Sequence, residues 1–252
     1  MSPNGGFLED LAFVESLARE LSETASGLGL PYIAASADIS STAPMTGADG
    51  RPLASSVFRW VDPDLRYWSD PGFALRAPFV MAARYSAEPF YFDGERFATW
   101  RRAPALEAIE VAESARAHNV ARAIILPAYL TGGVIGCVVL ATDKAVDVRG
   151  IFEARAAALH AQALRMMAAY QDASTPHLGC APVRLTRREI QCLKWAAAGK
   201  TDAVIGEIVQ ISTPTVRFHL KNAAEKLQVS GRSQAIFRAA ALGYIGPARP
   251  QA

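Results

Sequence analysis

The chain has 252 residues, 51% hydrophobic and 20% charged, with 26 Lys+Arg against 24 Asp+Glu. Such a chain forms one or two domains and buries a core, which excludes a disordered protein. It has no apolar run near the roughly 18–20 residues of a membrane span, no basic-then-apolar leader, and only Cys137, Cys180 and Cys192, too scattered for a disulfide framework or zinc site. A cytoplasmic soluble protein is expected.

The periodicity predicts a helix over 7–28 (Leu8, Leu11, Val14, Leu17, Ala18, Leu21), ended by Gly27 and Gly29. A strand over 31–37 and a Ser/Thr/Gly/Pro-rich loop over 40–52 follow, then a second strand over 53–60. Short helices are expected at 63–68, 73–85 and 104–117. Two apolar runs, 123–130 and 134–141, flank Thr131-Gly132-Gly133 and read as a hairpin, because the glycines permit positive φ. Pro127 cannot donate to a ladder, so it marks an edge or bulge. A long Ala-rich helix over 148–171 carries Ile151, Phe152, Ala156, Leu159, Ala163, Met166 and Met167. It suits the core, a dimer seam, or both. The fold class expected is α+β, with an N-terminal α-β-α sandwich around an antiparallel sheet.

Residues 172–182 lose periodicity and gather Pro, Gly and Ser, which reads as a linker between domains at 1–171 and 183–252. The charge changes sign there. Residues 183–252 hold eleven Lys/Arg and four Asp/Glu, net +7, against fifteen and twenty, net −5, before them. A small basic end on an acidic body points to a polyanion-binding module.

That end reads as four helices. Thr186 and Glu189 form a capping box for the first, and Gly199 is placed to end it. Thr201 caps the second, whose Val204, Ile205, Ile208 and Val209 face inward. Ser212 or Thr213 caps the third, with Pro214 in its first turn. The fourth spans 232–242. Two helices joined by Gln210-Ile211-Ser212, the second one basic, form a helix-turn-helix. On the second, Val216, Leu220, Ala223 and Leu227 make the buried stripe, and Thr215, Arg217, His219 and Lys221 are polar. Arg217 and Lys221 share one face, and an Arg there can pair with guanine O6/N7. Lys200, Thr201, Lys226 and Arg232 sit at helix ends, where phosphate contacts set register. With Thr213, these are the candidate DNA-binding residues.

These residues closely resemble the DNA-binding domain of LuxR-type transcriptional regulators, whose pattern LTxRExxxLxWxAxGKTxxxIxxIxxISxxTVxxHLxNxxxKLxVxxRxQA they match from Leu185 to Ala235. The resemblance implies a regulator in which the positions of Arg217 and Lys221 read bases. Residues 1–170 do not show the βα alternation of a receiver domain, and they contain no GxxxxGK[ST] loop. Their size and element order resemble the autoinducer-binding domain, as does Tyr67-Trp68…Ala77-Pro78-Phe79…Pro89-Phe90-Tyr91-Phe92.

The resemblance implies a pocket for an acyl-homoserine lactone. In that alignment Asp64 stands at the Trp that bonds the lactone carbonyl, Trp68 at a Tyr, and Ala77 at the Asp that accepts the ligand amide. Phe92 stands at a second Trp, Ala123 at a Gly, and Val139 at a position that often supplies a hydroxyl. Taking Asp70-Pro71 as the family's Asp-Pro pair instead would stretch the spacing to Phe92 to 22 residues. Twelve of the 22 aromatic residues fall between positions 58 and 100. They read either as an aromatic core or as a chamber lined by Trp60, Asp64, Trp68, Phe73, Ala77, Phe79, Phe92, Trp100 and Val139. Such a chamber suits a signal less polar than the usual lactone.

His118, His160, His177 and His219 show no metal spacing, and nothing resembles a nucleophile-base pair. No metal, cofactor or enzymatic activity is expected. The chain therefore reads as a regulator, expected as a homodimer on a two-fold-related operator in double-stranded DNA, with no membrane. Its N-terminal domain either senses a small molecule or works without one, as a dimerisation module or the contact for a partner regulator.

Overall fold

The computed structural model describes residues 3–62, 76–174 and 182–246. Expectations for 63–68, for Asp64, Trp68, Asp70 and Phe73, and for Cys180 in the linker lie outside them. The chain divides into two compact units.

The first unit is built on a five-stranded sheet, ordered β1-β5-β4-β2-β3 and antiparallel throughout. Its strands are β1 (Tyr32–Ser36), β2 (Phe90–Phe92), β3 (Phe97–Ala98), β4 (Arg122–Tyr129) and β5 (Ile135–Thr142). Strand alternation sorts the side chains between two faces. Ile33, Ala35, Tyr91, Ile124, Leu126, Val138 and Leu140 face two long helices, α1 (Pro3–Gly27) and the helix Val148–Ser174. These helices pack side by side through Val14, Leu17, Ala18, Leu21 and Ala25 on the first, and Phe152, Ala156, Leu159, Ala163, Met166 and Met167 on the second.

The opposite face carries Phe90, Phe92, Phe97, Ala123, Ile125, Cys137, Val139 and Ala141, covered by short helices. In chain order these are α3 (Pro78–Ala82), α4 (Pro104–Glu107) and α5 (Ala112–Ala117), after a one-turn α2 (Leu53–Ser56); the long second helix is α6. Helices thus lie on both faces of an antiparallel sheet, the α+β class expected.

Three local outcomes differ from the sequence reading. Residues 53–60 are not a strand. The Pro52 carbonyl accepts the Ser55 and Ser56 amides and the Ser56 hydroxyl, and Phe58 N–H returns to the Leu53 carbonyl. The groups a ladder would need are spent locally, and a single bond from Ile33 N–H to the Arg59 carbonyl ties the segment to β1. The helix expected over 104–117 is two helices. Ile109 and Val111 both pack on the same core cluster, yet residues two apart on a helix point about 200° apart. The break between α4 and α5 lets both turn inward, and Glu107 closes back on the Ala103 amide at 3.1 Å.

The third is the β2–β3 hairpin, which the sequence reading lacked. Asp93-Gly94 makes its turn: Asp93 Oδ1 accepts the amides of Glu95 and Arg96 at 2.9 Å each, and Gly94 takes φ +101. The β4–β5 hairpin forms as expected, with Gly132 and Gly133 at positive φ. Among the described residues β2 pairs with β4 only at Ala123–Ile125, so Pro127 lies past the end of β2.

The second unit packs α7 (Arg187–Ala197), α8 (Asp202–Val209), α9 (Thr213–Lys226) and α10 (Arg232–Ala241) around Cys192, Leu193, Ile205, Val216, Leu220, Ala223, Leu227 and Ala235. One inward assignment is corrected: Ile208 is 41% exposed. Gly206 is buried instead, because α8 must pass close to the following turn. A Cβ on Gly206 would lie 2.7 Å from the Ile211 carbonyl oxygen, whose own amide bonds back to Gly206 at 2.9 Å. Gly206→Ala is therefore expected to destabilise this unit by about 1 kcal/mol, the backbone clash outweighing the gain in helix propensity. Urea melts would check this, and a variant as stable as wild type would refute it. Among the described residues no helix is long and apolar enough to cross a membrane, and no group of side chains could hold a metal ion.

Candidate nucleic-acid interface and aromatic face

The helix-turn-helix is built by local capping. Thr201 Oγ1 accepts the Val204 amide at 3.4 Å, and Ser212 Oγ accepts the Thr215 amide at 3.3 Å. Gln210 closes α8 in the left-handed conformation (φ 56°). With Val216, Leu220, Ala223 and Leu227 buried, α9 turns Arg217 and Lys221 outward, their side chains 73% and 77% exposed.

The candidate DNA-binding residues divide by environment. Lys200, Thr201, Thr213, Arg217 and Arg232 line one groove together with Asp202. Thr215 is half-buried, its hydroxyl 2.7 Å from that of Ser212, and half-buried His219 lies edge-on to the Phe218 ring. Lys226 departs from the expected phosphate role: its ammonium sits 2.8 and 2.9 Å from the two oxygens of Glu189, a carboxylate only 3% exposed. Burial alone would raise the Glu189 pKa, but Lys226 and the Thr186 amide and hydroxyl outweigh it and hold the group below its ordinary 4.5. Arg232 is likewise bonded inside the unit, to Asp202 and to the Lys200 carbonyl.

Two residues were missed. Phe218 is 59% exposed on the same face of α9 as Arg217 and Lys221; its place off the apolar stripe was the available signal. Asp202, between two arginines from other helices, gave none.

In the first unit, Trp60, Phe79, Phe92 and Val139 share one sheet face, within or against its buried cluster. Phe79 meets Phe92 and Phe97 edge-on with centroids 5.7 Å apart, and Phe90 meets Phe97 at 5.1 Å. Each such pair adds about 0.5–1.5 kcal/mol beyond burial. Ala77 is buried just ahead of α3. Cys137 shares this face, and burial pushes its thiol up to about 12, so it stays protonated and unreactive. Trp100 does not belong here. It is 50% exposed and stacks on Phe152 of α6, against the opposite face, centroids 4.7 Å apart. It follows Ala98 by two residues, and Ala98 already points to that side. Among the described residues the buried indole Nε1 of Trp60 has no hydrogen-bond partner, which would cost about 1–3 kcal/mol.

Residues 14–172 match the autoinducer binding domain, and residues 183–239 match the luxR family of bacterial regulatory proteins. The transcriptional activator PhzR of Pseudomonas fluorescens is 32% identical over 185 residues, covering 72% of this chain and 71% of PhzR. VanR of Vibrio anguillarum, also a transcriptional activator, is 51% identical over 63 residues, a quarter of this chain (25%) and 26% of VanR. The crystal structure of Escherichia coli SdiA is 22% identical, covering 92% of this chain and 91% of that one, with a TM-score of 0.48. PhzR and VanR are both transcriptional activators. With an autoinducer binding domain over most of its length and the luxR-family helix-turn-helix behind it, the chain belongs to the LuxR family of transcriptional regulators.

Proposed function

We propose that this regulator binds a two-fold-related operator as a homodimer in the cytoplasm, reading bases with α9, and that a small molecule held on the aromatic face of the N-terminal sheet controls that binding. The observation that carries the DNA reading is the row of Arg217, Phe218 and Lys221 along the exposed side of α9. Arg217 supplies a fork for guanine, and Phe218 an apolar surface for a thymine methyl group. Lys200, Thr201, Thr213 and Arg232 lie at helix ends beside it, where phosphate oxygens would set the register.

The signal reading is supported by Trp60. A buried donor without an acceptor is costly, and a ligand that brings a carbonyl or ether oxygen would satisfy it. The surrounding Phe79, Phe90, Phe92, Phe97 and Val139 are apolar, which favours a signal less polar than an acyl-homoserine lactone. Its binding shifts the population toward one state of the regulator only by its differential affinity for the two.

The test is mass spectrometry of small molecules released from the purified full chain, with thermal shift against acyl-homoserine lactones and less polar analogues. Stabilisation by such a compound, reduced about tenfold in apparent affinity by Trp60→Phe, is the expected result. A chain that releases and binds none would favour control through protein contacts instead.

A further inference from the structure

We infer that Asp202 is a positioning residue for base recognition, holding the guanidinium of Arg217 in the orientation from which it meets a base pair. The inference rests on the reading of α9 as the base-contacting helix.

Asp202 is the first residue of α8, directly after the Thr201 cap, and its side chain is 24% exposed. One carboxylate oxygen, Oδ2, accepts Arg217 Nε at 3.4 Å. The other, Oδ1, accepts Arg232 Nη1, while Arg232 Nη2 donates to the Lys200 carbonyl at 2.6 Å. Three helices thus meet at one side chain: α8 carries the carboxylate, α10 fixes it through Arg232, and α9 presents the arginine that it holds.

The geometry suits a buttress. The bond to Asp202 uses Nε, which leaves the fork of Nη1 and Nη2 for an acceptor pair such as guanine O6 and N7. An arginine as exposed as Arg217 samples many rotamers when free, and binding must freeze them. A carboxylate that does so beforehand removes part of that cost. Exposed ion pairs add little to stability, so the pair acts chiefly through orientation.

The carboxylate also has a cost: it places a negative charge beside a surface that meets phosphates. Removing it should strengthen charge-driven binding to any duplex while weakening discrimination among sequences. A purely structural role would not separate the two effects in this way. Asp202 also suits the first turn of a helix electrostatically, so the test must show that it works through Arg217.

The experiment is selection from random duplex DNA with the full-length chain, followed by competition between the selected and a scrambled duplex at two salt concentrations. Wild type, Arg217→Ala, Asp202→Asn and the double variant are compared. Asp202→Asn is expected to lower the ratio of selected to scrambled affinity about tenfold, with scrambled binding unchanged or tighter. In the Arg217→Ala background it should change the ratio no further. Arg232→Lys, which loosens the carboxylate without altering the first turn of α8, should lower the ratio in the same direction. A wild-type ratio in Asp202→Asn overturns the inference, and so does an equal loss in the presence and absence of Arg217. A wild type that selects no motif, or an Arg217→Ala that keeps the wild-type motif, overturns the base-contacting reading of α9, and the inference falls with it.

Discussion

Lys226→Met is expected to destabilise the C-terminal unit by about 2–3 kcal/mol at neutral pH, although the residue lies at the surface end of its helix. The reason is Glu189. Its carboxylate is nearly sealed from water, bonds the Thr186 amide at 2.7 Å to start α7, and takes the Lys226 ammonium on both oxygens. Removing one partner of a buried pair leaves the other charge uncompensated, which costs about 3–5 kcal/mol when both are sealed. Lys226 keeps 39% of its side chain in water, which discounts the figure.

The pH dependence gives a sharper test. Glu189 titrates below 4.5 in the folded chain, so its contribution to stability is present above about pH 4.5 and is lost as the pH falls through the folded value. Without Lys226 only the Thr186 hydrogen bonds oppose the effect of burial, so the pKa should rise relative to wild type and the variant is penalised for keeping Glu189 charged. The stability gap between wild type and variant should therefore be wide at pH 7 and narrow toward pH 4. Urea denaturation read by hydrogen exchange in α7 and α9 would show this, and a gap independent of pH would reject the account.

Arg217→Ala is expected to remove most of the preference for the operator while leaving weak, salt-sensitive binding to any duplex. A bidentate arginine–guanine contact is worth about 1–3 kcal/mol of discrimination, roughly 5- to 150-fold in relative affinity. Lys221 and the groups at the helix ends remain to attract phosphates. The side chain is 73% exposed and its ion pair lies at the surface, so the melting temperature should barely move. Gel-shift titration against selected and scrambled duplexes at two salt concentrations separates loss of reading from loss of folding. An unchanged operator affinity would remove Arg217 from the recognition surface.

Local chemistry made much of this legible in the sequence. Thr186 with Glu189, Thr201 and Ser212 each announce a helix start through a side chain that reaches only three residues ahead, and the structure contains all of those bonds. The β4–β5 hairpin was equally local. Long-range pairing was not: Lys226 meets Glu189 across 37 positions and Arg232 meets Asp202 across 30, and no spacing rule joins them. The strand Phe90–Phe92 escaped because both sheet faces are covered there. All three residues are buried, and a strand buried on both sides shows no alternation to read. Trp100 was misplaced for a related reason, since grouping aromatics by position ignores which side of the sheet each one points to.

The short reach of β2 has a consequence for how the protein behaves among other chains. A strand left unflanked offers its backbone to any passing strand of another chain, the usual seed of aggregation. At that stretch of β4, Pro127 has no amide hydrogen to offer, and its carbonyl accepts the ring N–H of His160 at 2.7 Å. Tyr129 at the strand's end donates its hydroxyl to the carbonyls of Ala83 and Arg84, at 3.1 and 2.9 Å, tying the segment after α3 over it. The domain is thus guarded against strand-to-strand association past the end of β2, and that safeguard needs no bound signal to operate.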